Sequence, residues 1–301
     1  MQLITEAQVA QVLGQPDAHE RVLATLRHAF TELGRGRAAV LARSRAAHST
    51  ADGQALMVSA MGAVLPEVLG TKVYSTRNGQ FQFLINLFAT ATGAPLATLE
   101  ANELTRVRTA ATTALAVEAL AAPQAAVLAI FGAGTQARAH AQALLARKAY
   151  ERVLVVARSG AAEFAAEIGG EVADAVTAAG QAEVLITATR ASEPLFDGVL
   201  VKPGALVCAV GSSKPIAREL DDTLLARAAA IVVEWLPAAR QEAGELVRAA
   251  PGVVQPERLV ELGTLLAAPV ARDPAGIVVY KSVGIGLEDV ALAHLVYQAL
   301  Q

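Results

Sequence analysis

The sequence predicts an α/β protein in which a doubly wound parallel sheet is inserted in a smaller α+β domain. Three observations carry this. Beyond about residue 125, short and continuously apolar runs alternate with helical stretches, the pattern of parallel strands covered on both faces. Before that point helices and strand-like runs mix without regular alternation. The C-terminal run IVVYKSVGIGLEDVALAHLVYQAL then reads as a strand, a glycine-bearing turn and a helix able to close back onto the N-terminal half. A discontinuous first domain over residues 1–120 plus 283–301 and an inserted domain over 121–282 follow.

In chain order, the opening stretch Glu6 to Phe30 has helical periodicity. Strand-like runs follow at ALMVSAM, TKVYST and FLINLFA. The second half opens with AVLAIFG at 126–132, a short apolar run ending in glycine, and RAHAQALLARK continues it as a helix. VLVVAR (153–158) is the next strand and AAEFAAEI the next helix. AEVLITAT (182–189), GALVCAVG (204–211) and AAIVVEW (229–235) complete the strand set. In the last helix Glu288 and Asp289 fall in the first turn, where acids complement the helix dipole.

Composition excludes several classes. The 301 residues are 54% hydrophobic and 18% charged, which is enough apolar surface for a large buried core and argues against disorder. Net charge is −3, from 25 basic and 28 acidic residues, with no basic run, so nucleic-acid binding is not expected. The most apolar region, around 110–131, is broken by Glu118, Pro123 and Gln124 and falls short of the roughly 20 residues of a membrane span. The N-terminus MQLITEAQVAQVL lacks the charged-then-apolar form of a signal peptide. The single cysteine, Cys208, lies in the apolar run ALVCAV, reads as a buried strand thiol and fits a reducing, cytoplasmic location. His19, His28, His48, His140 and His294 are scattered and none pairs at metal-ligand spacing, so no metal is expected.

The run VLAIFGAGTQARAH is G-x-G-x-x-A placed directly after a strand and before a helix, the dinucleotide-binding turn of a Rossmann-type sheet. Gly132 permits the tight turn, Gly134 lets a pyrophosphate approach the backbone, and Ala137 lets the helix pack close to the strand. The N–H groups of the helix start, at Thr135 and Gln136, then face the phosphates. An NAD site usually carries an acid about 20 residues on, at the end of the second strand. This chain has VVARSG there, and Arg158 with Ser159 suits a 2′-phosphate, so NADPH is favoured over NADH.

Upstream, LTRVRTAATT places two arginines at the start of an apolar helix. Arg106 and Arg108 are separated by roughly 200° around a helix axis and cannot share a face. Leu104, Ala111, Leu115 and Glu118 lie near one stripe with Arg108, which makes Arg108 the candidate for a cleft, with Thr109 beside it able to meet a phosphate. A salt bridge between domains would account for Arg108 equally well.

TRVRTAATTALAVEALA followed by LAIFGAGTQARAH resembles the ornithine cyclodeaminase/mu-crystallin family, whose pattern is L-T-x-x-R-T-A-A leading into G-x-G-x-Q-A. MGAVLPEVLGTKVYST, LFATATGAPLATLEANELT, VGSSKPIAREL, EAGEL and KSVGIGLEDVALA extend the resemblance over nearly the whole chain. It implies a substrate carboxylate held by Arg108, by Lys72 in GTKVYST and by an arginine of ARSRAAHS, Arg45 by spacing with Arg43 as the alternative. Cations converging on one small anion give strong, charge-assisted contacts. It also implies that the KSVGIG turn, with Gly284 and Gly286, borders the nicotinamide, and that the protein is a homodimer formed through the sheet of the first domain. Tyr74 and Asn78 are weaker substrate contacts, near Lys72 in sequence.

The family holds cyclodeaminases, alanine dehydrogenases and imine reductases. The cyclodeaminases carry acids at two positions occupied here by Ser59 and Ser213. Oxidation from an ammonium group needs a base that these serines do not supply, whereas reduction of an imine needs a hydride, an anchored carboxylate and a proton. The resemblance therefore implies NADPH-dependent reduction of a cyclic imino acid, Δ1-pyrroline-2-carboxylate or Δ1-piperideine-2-carboxylate, to L-proline or L-pipecolate, with Ser213 near the substrate. An NAD-dependent ornithine cyclodeaminase, an alanine dehydrogenase-like enzyme and a non-catalytic binding protein are the alternatives.

Overall fold

The computed structural model describes residues 1–50 and 53–301. The chain divides into two compact units, Met1–Thr112 with Ile285–Gln301, and Thr113–Gly284. The first division lies inside one continuous helix.

The first unit begins with β1 (Gln2–Ile4), α1 (Glu6–Leu13) and α2 (Ala18–Gly34). The opening stretch is thus two helices where its periodicity predicts one. Gly14 caps α1, and Pro16, which has no N–H to donate, stands between the two. Five strands follow: β2 (Ala39–Ser49), β3 (Ala55–Val64), β4 (Val68–Arg77), β5 (Gln80–Ala89) and β6 (Pro95–Glu100). They form a six-stranded sheet in the order β1-β6-β5-β4-β3-β2, antiparallel except for the parallel β1–β6 pair. Alternation fixes the faces: Ser59, Met61 and Ala63 of β3, Lys72 and Tyr74 of β4, and Ile85 and Leu87 of β5 are buried, while Val58, Val64 and Leu84 are half exposed on the other face. Asn78 and Gly79 both have positive φ and make the tight β4–β5 hairpin, the turn that Asn-Gly favours. Asn78 is therefore a turn residue several positions along the strand from Lys72.

α3 (Asn102–Leu120) leaves this sheet, its first N–H groups received by the Glu6 carboxylate. The second unit holds β7 (Val127–Phe131), α4 (Thr135–Leu145), β8 (Arg152–Val156), α5 (Ala161–Ile168), β9 (Glu171–Val172), α6 (Ala175–Gln181), β10 (Val184–Thr187), β11 (Leu206–Ala209), α7 (Asp222–Arg227), β12 (Ala228–Val233), α8 (Leu236–Glu242), α9 (Gly244–Val247), β13 (Leu259–Glu261), α10 (Leu262–Ala267) and β14 (Ile277–Lys281). Its eight strands are all parallel, in the order β13-β12-β14-β11-β10-β7-β8-β9. β7, β8, β9 run to one side and β10, β11 to the other, so the order reverses between β7 and β10. Ligands of open parallel sheets bind at such a switch point, beyond the carboxyl ends of the strands.

α11 (Gly286–Ala299) returns to the first unit and packs on α2 and on β2 to β5. The approach is close because both chains lack side chains at the contact. A Cβ on Gly286 would stand 2.4–2.5 Å from the backbone of Gly62. Gly286 thus serves this packing. Gly286→Ala should destabilise the protein by about 2–3 kcal/mol, the range of overpacked cores, seen as an earlier thermal or urea transition.

Candidate active site

The first unit buries four charges around one point. Lys72, on β4, is 1% exposed. Its Nζ donates to Thr105 Oγ1 at 2.7 Å and to Asp289 Oδ1 at 2.8 Å, and lies 4.3 Å from the centroid of the Phe83 ring. Arg108, on α3, donates from Nη1 to Glu288 Oε2 at 2.6 Å, with Nε 3.3 Å from Asp289 Oδ1. Glu288 and Asp289 are both fully buried in the first turn of α11, where Glu288 also receives the Ile285 N–H. These acids do more than complement a helix dipole: they neutralise the two cations expected to grip the substrate. Arg108 faces inward and its ion pairs lie inside the first unit. Arg106 points the other way and pairs with Glu103 on its own helix. Leu104, Ala111 and Leu115 are buried with Arg108, but Glu118 is exposed and pairs with Arg147.

Burial pushes the Lys72 ammonium down to about 8; Asp289 opposes this, while Arg108 and Arg43 add to it. Arg43, half buried on β2, donates to the sulfur of Met61, the cross-strand partner of Lys72. Arg45, two residues on, stands opposite Ser59 and is exposed. The structure thus brings the charge of Arg43 to bear on Lys72. Tyr74 is buried next to Phe83, 5.1 Å between ring centroids. The Thr109 hydroxyl donates back to the Thr105 carbonyl. Ser59 Oγ, Thr112 Oγ1 and Asp289 Oδ2 are buried without a hydrogen-bond partner among the described residues, and buried polar atoms of that kind call for a ligand or water.

In the second unit Gly132 has φ +114°, and a Cβ there would stand 2.6 Å from the Ala188 carbonyl oxygen, so the turn after β7 requires glycine. Gly134, at the start of α4, has ordinary negative φ and nothing within 4 Å of where a Cβ would sit. The protein itself does not need glycine at 134; a group lying on the backbone would. Thr135 beside it is exposed, and Gln136 Oε1 is buried without a hydrogen-bond partner among the described residues. The Gly132 N–H donates to Val156 at the end of β8, which sets the exposed Arg158 and Ser159 beside the glycine turn. This geometry fits a dinucleotide.

Buried carboxylates staple the strand ends on the same edge. Glu219 accepts from Thr187 Oγ1, Thr189 Oγ1, and the Thr189 and Gly211 N–H groups, joining the ends of β10 and β11. Ser213 follows half buried in the loop so formed. Glu234 accepts from Ser282 Oγ and from the N–H groups of Val283 and Gly284, and so shapes the turn after β14; Gly284 has φ +72°. Lys281 is buried, 3.1 Å from Glu245, and donates to the Ser212 carbonyl. None of these four stood out in the sequence; for Glu234 and Lys281 the one signal was a charge at the end of an apolar strand run, and Glu219 and Glu245 carried none. His140 is also buried, its Nδ1–H donating to the Gln136 carbonyl, and burial takes it down to about 4, so it is a neutral packing residue. Among the described residues no cluster of His, Cys, Asp and Glu could hold a metal ion, and no helix is long and apolar enough to cross a membrane.

Residues 7–301 match the ornithine cyclodeaminase/mu-crystallin family. The chain belongs to that family. It is 35% identical over 226 residues to the ketimine reductase mu-crystallin of Mus musculus, covering 72% of this chain and 69% of that protein. The crystal structure of a probable ornithine cyclodeaminase from Bordetella pertussis Tohama I superposes with TM-score 0.91 at 45% identity, covering 100% of this chain and 97% of that one. The Thermococcus litoralis Δ1-pyrroline-2-carboxylate reductase, solved with NADH and L-proline, gives TM-score 0.87 at 27% identity, over 99% and 97% of the chains. The Rossmann-type parallel sheet and the mixed α/β first unit are thus the architecture of this family.

Removing one member of a buried ion pair strands the other charge. Lys72→Met should destabilise the protein by about 3–5 kcal/mol in denaturant titration. Lys72→Met with Asp289→Leu should recover most of that loss and remain inactive, which would show the pair to be retained for chemistry over stability.

Proposed function

We propose that this family member is an NADPH-dependent imine reductase that converts a cyclic imino acid, Δ1-pyrroline-2-carboxylate or Δ1-piperideine-2-carboxylate, to L-proline or L-pipecolate. The broader assignment, an oxidoreductase acting on a C=N bond, accords with the ketimine and pyrroline-2-carboxylate reductases among its relatives. The observation that carries the finer reading is the buried cluster of Lys72 and Arg108. It offers charge-assisted donors for one small carboxylate, and it contains no unpaired base. Ser59 stands at one position where a deaminating enzyme would carry an acid, Ser213 at the other, and both buried carboxylates present are bound to cations.

In this reading the substrate carboxylate lies among Lys72, Arg108 and an arginine of β2. The bound cofactor supplies the hydride to C2. This chain's residues anchor the acid, exclude water and keep the imine carbon oriented. Gly132, Gly134, Thr135 and Gln136 would cradle the pyrophosphate, with Gly284 a further cofactor contact. Arg158 and Ser159, with no acid at the end of β8, support NADPH over NADH. The half-exposed apolar residues Val58, Val64 and Leu84 support a homodimer through the outer face of the first unit's sheet, and the buried Cys208 supports a reducing, cytoplasmic location. The cyclodeaminase reading draws on the Bordetella structure at 45% identity; it predicts ammonia release from ornithine with NAD.

Purified protein should oxidise NADPH with either cyclic imine and release no ammonia from ornithine; the opposite pair of results would overturn the assignment. Arg108→Ala should raise the imine KM by about a hundredfold, the cost of a charged hydrogen bond of roughly 3 kcal/mol, and leave NADPH affinity nearly unchanged by fluorescence titration. Gly134→Ala should leave the melting temperature within error and weaken NADPH binding at least tenfold; Arg158→Asp should shift the kcat/KM ratio toward NADH.

A further inference from the structure

We infer that Asp289 is a positioning residue that lets a fully buried lysine act as a carboxylate anchor: it holds Lys72 in its charged form and, with Thr105, directs the remaining N–H of the ammonium. This rests on the reading of Lys72 as a substrate-carboxylate ligand.

A lysine sealed from water tends to lose its proton, and a neutral amine cannot anchor an anion. Every element packed against Lys72 bears on this balance. β3 presents Met61 and Ser59, and β5 presents Phe83 and Ile85, all neutral. β4 adds the neutral Tyr74. β2 brings Arg43 and α3 brings Arg108, whose positive charges oppose protonation of Lys72. Only α11 opposes them. Glu288 is committed to Arg108 at 2.6 Å, which leaves Asp289, at 2.8 Å, as the direct counter-ion of Lys72. Burial and two arginines therefore work against the ammonium, and one carboxylate sustains it.

The geometry adds direction. An ammonium has three N–H donors. Asp289 Oδ1 and Thr105 Oγ1 take two, and the Thr105 hydroxyl is itself fixed by donating to the Ala101 carbonyl. The third is then set by tetrahedral geometry instead of by rotation. Asp289 Oδ2 remains buried without a hydrogen-bond partner among the described residues, next to the same ammonium. A structural staple would have satisfied it. A group held ready for an incoming N–H or water leaves it open.

The test is the titration of Lys72, followed by NMR of protein carrying [13Cε]lysine and assigned with Lys72→Arg, together with imine KM between pH 6 and 9. The wild type should titrate near 8. Asp289→Asn keeps the shape and removes the charge, so the midpoint should fall by about one to two pH units. At pH 7.5 the charged fraction then drops and the imine KM rises about three- to twenty-five-fold. The rise should shrink to about twofold or less at pH 6, and kcat and NADPH affinity should change little. Comparing variant with wild type cancels the titration of the imine itself. Asp289→Glu, which restores the charge, should restore the midpoint. Thr105→Val loses direction and keeps charge: KM rises with the midpoint unmoved, and this arm stands even if Asp289→Asn does not fold. An unmoved midpoint in Asp289→Asn, or a KM increase that persists unchanged at pH 6, overturns the proposal. A midpoint that falls in a protein reducing no imine keeps the charge-setting role and rejects the substrate reading.

Discussion

The structure turns on two ion pairs sealed in the first unit, Lys72 with Asp289 and Arg108 with Glu288. They join residues 217 and 180 positions apart, so the two ends of the chain are held together by charge as well as by packing. Buried pairs of this kind seldom repay their desolvation in stability. Their value lies in direction: each cation is gripped on one side and can point its remaining donors only one way. The acids also limit the field. With two carboxylates against Lys72, Arg108 and Arg43, the excess positive charge is about that of one arginine.

That arrangement depends on bare backbone. Gly286 against Gly62 brings the first turn of α11 onto β3, and this is what carries Glu288 and Asp289 as far as β4 and α3. The second unit uses glycine for a different end. Gly132 is required by its own fold, whereas Gly134 answers to nothing in the protein around it. The two glycines of one motif are thus separable, one a demand of the chain and the other not.

Much of this was legible in the sequence because it is local. The strands β7, β8, β10, β11, β12 and β14 follow from short apolar runs, and the glycine turn from three positions in a row. Arg108 over Arg106 follows from helical phase. What could not be read is non-local. β2 is exposed along most of its length and rich in arginine and alanine, so it carries no alternation to mark it as a strand. The short strands β1, β9 and β13 are defined by their neighbours. Glu288 and Asp289 look like ordinary dipole complements because the cations that claim them are distant in sequence. Asn78 drew attention by its place near Lys72, yet along a strand a few residues are far apart in space.

The second unit repeats the logic of the first with the signs reversed. There the rigid points are carboxylates, Glu219 and Glu234, each receiving hydrogen bonds from loops that would otherwise fray beyond the strand ends. Each satisfies backbone N–H groups that no neighbouring strand can reach, at the edge where parallel sheets receive their ligands. Loops there need to be open to a ligand and still be of one shape. A buried carboxylate achieves both, because it binds the loop from beneath and leaves the upper surface clear.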